Sequence, residues 1–194
     1  MPGMRLLLFV LFTVPIAAPA RLDTVPDEIS RLDECIQLRF LDAKAFGMRR
    51  ILPMQYHGLR SFVPENATER AVVDQLQQKN YEVAFYLVGR NALDAQSPFT
   101  ALLPRRSVAQ GPAFITPVQE RELPQPEILL EEGRRALISF QTGQGYDIRK
   151  AGWTVAMRPL RASSEKCVQC HAAAGVKIGD PLGAALYVYR REVR

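Results

Sequence analysis

Apolar residues in the first part of the chain recur with the spacing of a helix. They share one face of a helix that is predicted to begin at Thr24, namely Ile29, Leu32, Ile36, Phe40, Ala43 and Gly47. Thr24 is a capping residue, and the proline and two acids after it are typical of a helix start. Pro53 ends or kinks this helix. Cys35 lies at the edge of the apolar face.

A second helix and then a series of strands follow. Asn66-Ala-Thr-Glu69 resembles a capping box, and Asn80 is the expected end of the helix that it opens. The expected strands are residues 83–88, 136–141, 152–160 and 183–189, with shorter ones at 106–109 and 113–116. A helical turn is predicted at 127–132, and Gly143-Gln-Gly145 is a predicted turn. Two helices followed by four to five strands predict an α+β fold with an antiparallel sheet and one small insertion before the last strand.

The N-terminus has the pattern of an export signal. Arg5 is the only charged residue before residue 21, and residues 6–18 carry no charge. Ala18-Pro-Ala20 matches the small-residue pattern of a cleavage site. The apolar run is shorter than the ~20 residues that span a bilayer, which favours cleavage over an uncut anchor. We therefore predict a signal peptide over residues 1–20, one domain over residues 21–194 and a periplasmic location.

Composition limits the class of partner. Hydrophobic residues make up 47% of the chain and charged residues 23%, which is typical of a globular protein. The formal net charge is +5, but the Lys and Arg residues are scattered rather than clustered in a basic stripe. This distribution argues against nucleic acid as a partner. A mildly positive surface aids solubility or attracts an acidic redox partner.

One motif carries chemistry. Cys167-Val-Gln-Cys170-His171 is a C-x-x-C-H sequence. Two thiols at this spacing can form thioethers with the two vinyl groups of one haem, and the adjacent His can ligate the iron from the same turn. The sequence therefore predicts one covalent haem c, tethered by Cys167 and Cys170, with His171 as the proximal iron ligand. Ser163 and Ser164 are expected to cap the short helix that carries the motif.

The same cysteine pair is also compatible with two other kinds of site. A thioredoxin-like redox pair belongs near a βαβ unit, which is not the pattern predicted here. A zinc site needs further ligands, and Cys35 and His57 are the only other Cys and His in the chain. Because covalent haem attachment takes place in an exported compartment, the signal peptide favours haem over both.

The sixth ligand of the iron is open at the level of sequence. The candidates are Cys35, His57, Met48, Met54, Met157 and Lys177. A lone His such as His57 is more often a surface residue, and Met48 and Met157 are expected in the core. Cys35 as a buried thiol would be an inert small hydrophobe. As a thiolate ligand it would lower the reduction potential, because anionic sulfur stabilises ferric iron.

The C-terminal part resembles a known family. Residues 153–160, the C-x-x-C-H motif and residues 177–188 resemble the c-type haem PAS-like domain of bacterial periplasmic haem proteins and signalling proteins. Gly179, Asp180 and Gly183 match its Gly-Asp-x-x-Gly turn into the last strand. The resemblance implies a PAS-like antiparallel sheet with helices beside it. In some relatives the sixth ligand is a Cys on the N-terminal helix, and Cys35 sits in the comparable region, so Cys35 and His57 both stay candidates for the distal position. Gly-Asp-Pro is first a turn signal, and a hydrogen bond near a haem propionate is a second role for Asp180.

These observations predict a periplasmic mono-haem c-type cytochrome that acts in electron transfer or in redox or ligand sensing. Its partner is expected to be a redox protein or a separate signalling protein. The alternative is a peroxidase-like haem enzyme with an open or displaceable distal site, in which His57 would be the acid-base group. A third hypothesis is a PAS-like small-molecule binder that holds no haem.

Overall fold

The computed structural model describes residues 25–41, 61–90, 109–172 and 175–192. The helices in these ranges are α1 (Asp27–Leu41), α2 (Ala67–Gln78), α3 (Pro126–Gln141) and α4 (Glu165–Cys170), with a 3₁₀ turn at Glu120–Glu122. The strands are β1 (Tyr81–Gly89), β2 (Ala109–Phe114), β3 (Tyr146–Lys150), β4 (Trp153–Arg161) and β5 (Pro181–Arg191). The predicted signal peptide lies outside the described residues. No described helix has the length and apolar character needed to cross a membrane.

The strands form one antiparallel sheet in the order β2-β1-β5-β4-β3. The central strand β5 pairs with its neighbour β1 along the whole of β1, from Tyr81 opposite Arg191 to Gly89 opposite Gly183. The α+β class with an antiparallel sheet is therefore confirmed.

Helices cover both faces of this sheet. Phe85 and Leu87 point to the α1 face, which is the face covered by α1 and α2. Their neighbours Tyr86 and Val88 point to the α3 face, which is covered by α3. Alternate residues of a strand point to opposite faces, so a sheet buried on both sides needs apolar residues at nearly every position. This burial explains the unbroken apolar runs of β1 and β5.

The predicted boundaries of the second helix agree with the structure, whereas the predicted start of the first helix at Thr24 and its predicted end near Pro53 lie outside the described residues. Of the predicted apolar face of α1, Ile29, Leu32, Ile36 and Phe40 are buried, while Ala43 and Gly47 lie outside the described residues. Asn66 is the N-cap of α2, because its side chain accepts a hydrogen bond from the Glu69 amide at 3.0 Å. After α2, Asn80 has φ 55°, a left-handed conformation that ends the helix.

The prediction of a strand at residues 136–141 is wrong, because these residues form the last part of α3. Their Ile and Phe content favours a strand locally. Over the full helix, however, Leu129, Ala136 and Phe140 are buried at helical spacing, and Pro126 stands in the first turn. The predicted helical turn at 127–132 is the beginning of the same helix.

Two further strand predictions change as a result. β3 was missed, so the strand before β4 is Tyr146–Lys150 rather than residues 136–141. In place of two short strands at 106–109 and 113–116 there is one strand, β2, and residues 106–108 lie outside the described ranges. Among the described residues the order is therefore two helices, two strands, a third helix, two strands, the short helix α4 and the last strand.

Candidate functional site

The C-x-x-C-H motif lies in the loop between β4 and β5, called here the motif loop (residues 162–180). Two backbone hydrogen bonds close its base: the Ala162 amide donates to the Asp180 carbonyl at 2.9 Å, and the Gly179 amide to the Ala162 carbonyl at 2.8 Å. The motif occupies α4, so the predicted short helix before the last strand is present. Because β4 and β5 are adjacent and antiparallel, the motif is not part of a βαβ crossover of the kind a thioredoxin-like pair uses.

The hydroxyl of Ser164 contacts the sulfur of Cys167 rather than capping the helix. Ser164 stands at the N-cap of α4 as predicted, but its side chain makes no capping hydrogen bond. Its Oγ lies 3.4 Å from Cys167 Sγ. The hydrogen bond from Ser164 lowers the pKa of Cys167 to about 7, with further hydrogen bonds from Ser163 and against the effect of burial. A substantial fraction of this thiol is therefore the nucleophilic thiolate at neutral pH.

The other two motif residues end the helix. Cys170 is the last residue of α4, and His171 is its C-cap. The His171 amide donates to the Cys167 carbonyl at 3.0 Å, while its side chain is exposed. The imidazole is thus at the surface end of α4, on the turn that carries both cysteines.

The motif loop packs on the α1 face of the sheet. Val176 is buried in the apolar cluster of that face, and the half-buried side chain of Cys167 packs against the same cluster. Cys35, on α1, is a buried member of it. Cys35 and Cys167 are both free thiols. The fold therefore brings the predicted distal candidate on α1 and the first cysteine of the motif to one apolar region.

Cys35 is a protonated thiol in this environment. Its exposed fraction is 7%, and burial raises its pKa, with the carboxylates of Glu69 and Glu34 acting in the same direction. The guanidinium groups of Arg39 and Arg31 act in the opposite direction but do not outweigh these effects, so a thiolate is disfavoured here.

A polar contact fixes α1 near Cys35. The hydroxyl of the fully buried Tyr187, on β5, donates to Asp33 Oδ1 at 2.8 Å. The side-chain amide of Gln37 donates a hydrogen bond from Nε2 to the Pro159 carbonyl on β4 at 3.3 Å. Burial raises the pKa of Tyr187 well above its ordinary value, and the neighbouring Asp33 carboxylate adds to this, so the hydroxyl keeps its proton. These contacts come from both sides of Cys35 on the helix and hold its backbone over the two strands.

The remaining candidate ligands fall in different places. Met157 is fully buried on the α3 face, so the sheet separates it from Cys35 and Cys167 and confirms its place in the core. Lys177 is exposed, at the turn before Gly179. His57, Met48 and Met54 lie outside the described residues.

The Gly-Asp-x-x-Gly segment has a clear structural role. Asp180 Oδ2 accepts the Lys177 amide at 2.9 Å, which closes the predicted turn, and Gly179 has φ 91°. At Gly183 an added Cβ would fall below 3.0 Å from the Val88 carbonyl oxygen and 3.2 Å from the Gly89 Cα. Only a residue without a side chain lets β1 and β5 approach this closely.

Arg90 approaches the base of the motif loop, which the sequence did not predict. Its Nη1 lies 3.8 Å from Asp180 Oδ2, an ion pair too long for a hydrogen bond. This Nη1 is buried and has no hydrogen-bond partner among the residues that the structure describes. The pairing of β1 with β5 brings Arg90 to this position, so only the register of the sheet could have revealed it.

Neither similarity to known proteins nor a group of metal-binding side chains indicates a function for this chain. No protein-family model, curated protein or solved structure matches the chain. Among the described residues, no group of three or more His, Cys, Asp or Glu side chains is arranged to hold a metal ion.

Proposed function

We propose that this protein is an exported mono-haem c-type cytochrome with a PAS-like fold, acting in electron transfer or in redox or ligand sensing. The observation that carries the proposal is the C-x-x-C-H motif on a short surface helix, with Cys167 packed against the apolar cluster that also holds Cys35. A haem is a large apolar ring, and a tether at the edge of an apolar cluster suits it. A bound haem supplies reversible one-electron chemistry at its iron.

The chain's residues have distinct roles in this proposal. Cys167 and Cys170 would hold the haem through thioethers, and His171 would supply the proximal nitrogen. The contact from Ser164 keeps a fraction of Cys167 in the reactive thiolate form. Cys35 would be the distal ligand, and its anionic sulfur would lower the reduction potential.

The fold and the N-terminus support the rest of the proposal. A five-stranded antiparallel sheet with helices packed beside it agrees with the architecture that the PAS-like resemblance implies. The leader pattern of residues 1–20 supports a periplasmic location, where haem c is attached. The partner in this setting is a redox protein or a separate signalling protein.

Covalent haem is the first test. The full-length chain is expressed in a bacterium with haem-attachment machinery, and a denaturing gel is stained for haem. We expect a stained band for the wild type and none for the double variant Cys167→Ser, Cys170→Ser, because thioethers survive denaturation and non-covalent haem does not. Cys35→Ser is the matched control and should retain the band, since this third cysteine is outside the motif. A wild-type band without haem rejects the proposal, and bound zinc at one equivalent in that sample would support a metal site instead.

The distal ligand is tested by spectroscopy of the holoprotein. We expect low-spin ferric iron with a thiolate EPR signature, lost in Cys35→Ala and kept in His57→Ala. The physical reason is that Cys35 is the candidate that the described residues place on the α1 face with the motif. Unchanged spectra in Cys35→Ala would exclude this ligand and transfer the role to His57 or Met54. Tight cyanide binding to the wild-type iron would instead indicate an open site and favour the peroxidase-like alternative.

A further inference from the structure

Arg90 is held at the base of the motif loop by the two central strands. It directly follows Gly89, which pairs with Gly183 at the end of β1. Because Gly183 has no side chain, the backbones of β1 and β5 come close at this point. Asp180 lies three residues before Gly183, at the closure of the motif loop. The pairing of β1 with β5 therefore brings Arg90 close to the closure of the motif loop.

The guanidinium of Arg90 has hydrogen-bonding capacity left over. Its side chain is 30% exposed, yet Nη1 is buried and has no hydrogen-bond partner among the described residues. The acid that the described residues place beside it, Asp180, uses the same Oδ2 to accept the Lys177 amide at 2.9 Å. A buried N–H donor without an acceptor is rare in folded proteins, since it has lost water and gained nothing.

A second arginine at the loop base shows the contrast. Arg161, at the end of β4, donates to the Gly179 carbonyl at 2.8 Å and to the Phe140 carbonyl at 2.5 Å. Its Nη1 and Nη2 are thus used to join the loop base to the end of α3. Of these two arginines, Arg90 is the one with a buried donor still to be satisfied.

We propose that Arg90 binds a carboxylate of the haem, a propionate side chain, at the base of the motif loop. The inference rests on the proposed haem attachment and extends it to the group that receives the haem's negative charge. Arginine presents several donors in a planar fork, which matches a carboxylate and lets one guanidinium bridge two of them. Asp180 is the second carboxylate. Its Oδ2 is already stabilised by the Lys177 amide, which limits its repulsion of a propionate.

The test compares two charge-removing variants of the holoprotein, Arg90→Gln and Arg70→Gln. Arg70 is an exposed residue of α2 and serves as the control for loss of one positive charge. Resonance Raman spectra report the bending band of the propionates, and electrochemistry gives the reduction potential. We expect Arg90→Gln to shift the propionate band and to lower the reduction potential, because a nearby positive charge stabilises the ferrous form. Arg70→Gln should leave both unchanged.

Each outcome separates this inference from the proposed function. A haem-stained wild type whose Raman band and potential are the same in Arg90→Gln overturns the role of Arg90 and leaves the cytochrome proposal intact. Absence of covalent haem in the wild type overturns both. Arg90→Lys guards against a purely structural effect: it should recover most of the potential, because the charge is kept, but not the propionate band, because the fork is lost. Recovery of neither, with an unchanged urea unfolding midpoint, would also contradict the proposal.

Discussion

Replacing Gly183 with alanine is expected to destabilise the protein by about 3 kcal/mol, at the upper end of the cost of overpacking a core. The new Cβ would fall below 3.0 Å from the carbonyl oxygen of Val88. The atoms it meets belong to backbone, so no side chain can rotate away. The two central strands would have to separate where they also position the base of the motif loop. Urea denaturation followed by circular dichroism measures the free energy of unfolding.

Gly89 offers a matched control in the same pair. It lies directly opposite Gly183, but a Cβ added there meets no atom within 4 Å. Gly89→Ala should therefore be neutral or stabilise the fold by a few tenths of a kcal/mol, because alanine restricts the unfolded chain. Equal losses of stability in the two variants would show that the close approach of β1 and β5 is not what requires Gly183.

The second large effect is expected at Glu69, which forms a buried ion pair between α1 and α2. The Glu69 and Arg39 side chains are 4% and 5% exposed, and Arg39 Nε donates to Glu69 Oε1 at 2.7 Å. Glu69→Gln leaves the Arg39 charge buried beside a neutral amide, which should lower the free energy of unfolding by about 3 kcal/mol at neutral pH. Glu65→Gln is the control: Glu65 is 64% exposed and 3.7 Å from Arg39, so its loss should cost less than about 1 kcal/mol.

The effect of Glu69→Gln should depend on pH. Burial alone would raise the pKa of Glu69. Hydrogen bonds from the Arg39 side chain and from the backbone amides of Glu65 and Asn66 outweigh this effect and hold the pKa below its ordinary value of 4.5. A carboxylate with a lowered pKa in the folded state stabilises the protein above the unfolded pKa, and that contribution is lost as the pH falls. The difference in the free energy of unfolding between the wild type and Glu69→Gln should therefore become smaller below about pH 4.5. A gap that is constant from neutral to acidic pH would contradict this account.

The accuracy of the sequence predictions differs between elements for physical reasons. α1 and α2 are amphipathic, and α2 has its own N-cap, so local pattern sufficed for both. The prediction for the end of α3 was wrong because its last residues, Ala-Leu-Ile-Ser-Phe, favour a strand when only a few residues are considered at a time. The sequence did not predict β3 because Tyr146–Lys150 is an edge strand with charged and half-buried residues and no strong apolar run.

The candidate site likewise has features that the sequence could predict and features that it could not. The spacing of Cys167, Cys170 and His171 is a local property, and so is the turn at Gly179 and Asp180. Sequence could also name Cys35 as a candidate on the first helix. It could not show that Ser164 contacts the Cys167 sulfur instead of capping α4, because both arrangements are open to a serine at that position.

By itself, the sequence determined the C-x-x-C-H motif, the leader pattern, the first two helices and the α+β class. These depend on the order and spacing of nearby residues, which the chain carries before it folds. Only the tertiary structure decided which distant groups meet. It placed Cys35 on the α1 face with the motif, and it placed Met157 on the opposite face. It also brought Arg90 to the motif loop, because the register of β1 against β5 joins segments that are far apart in the chain.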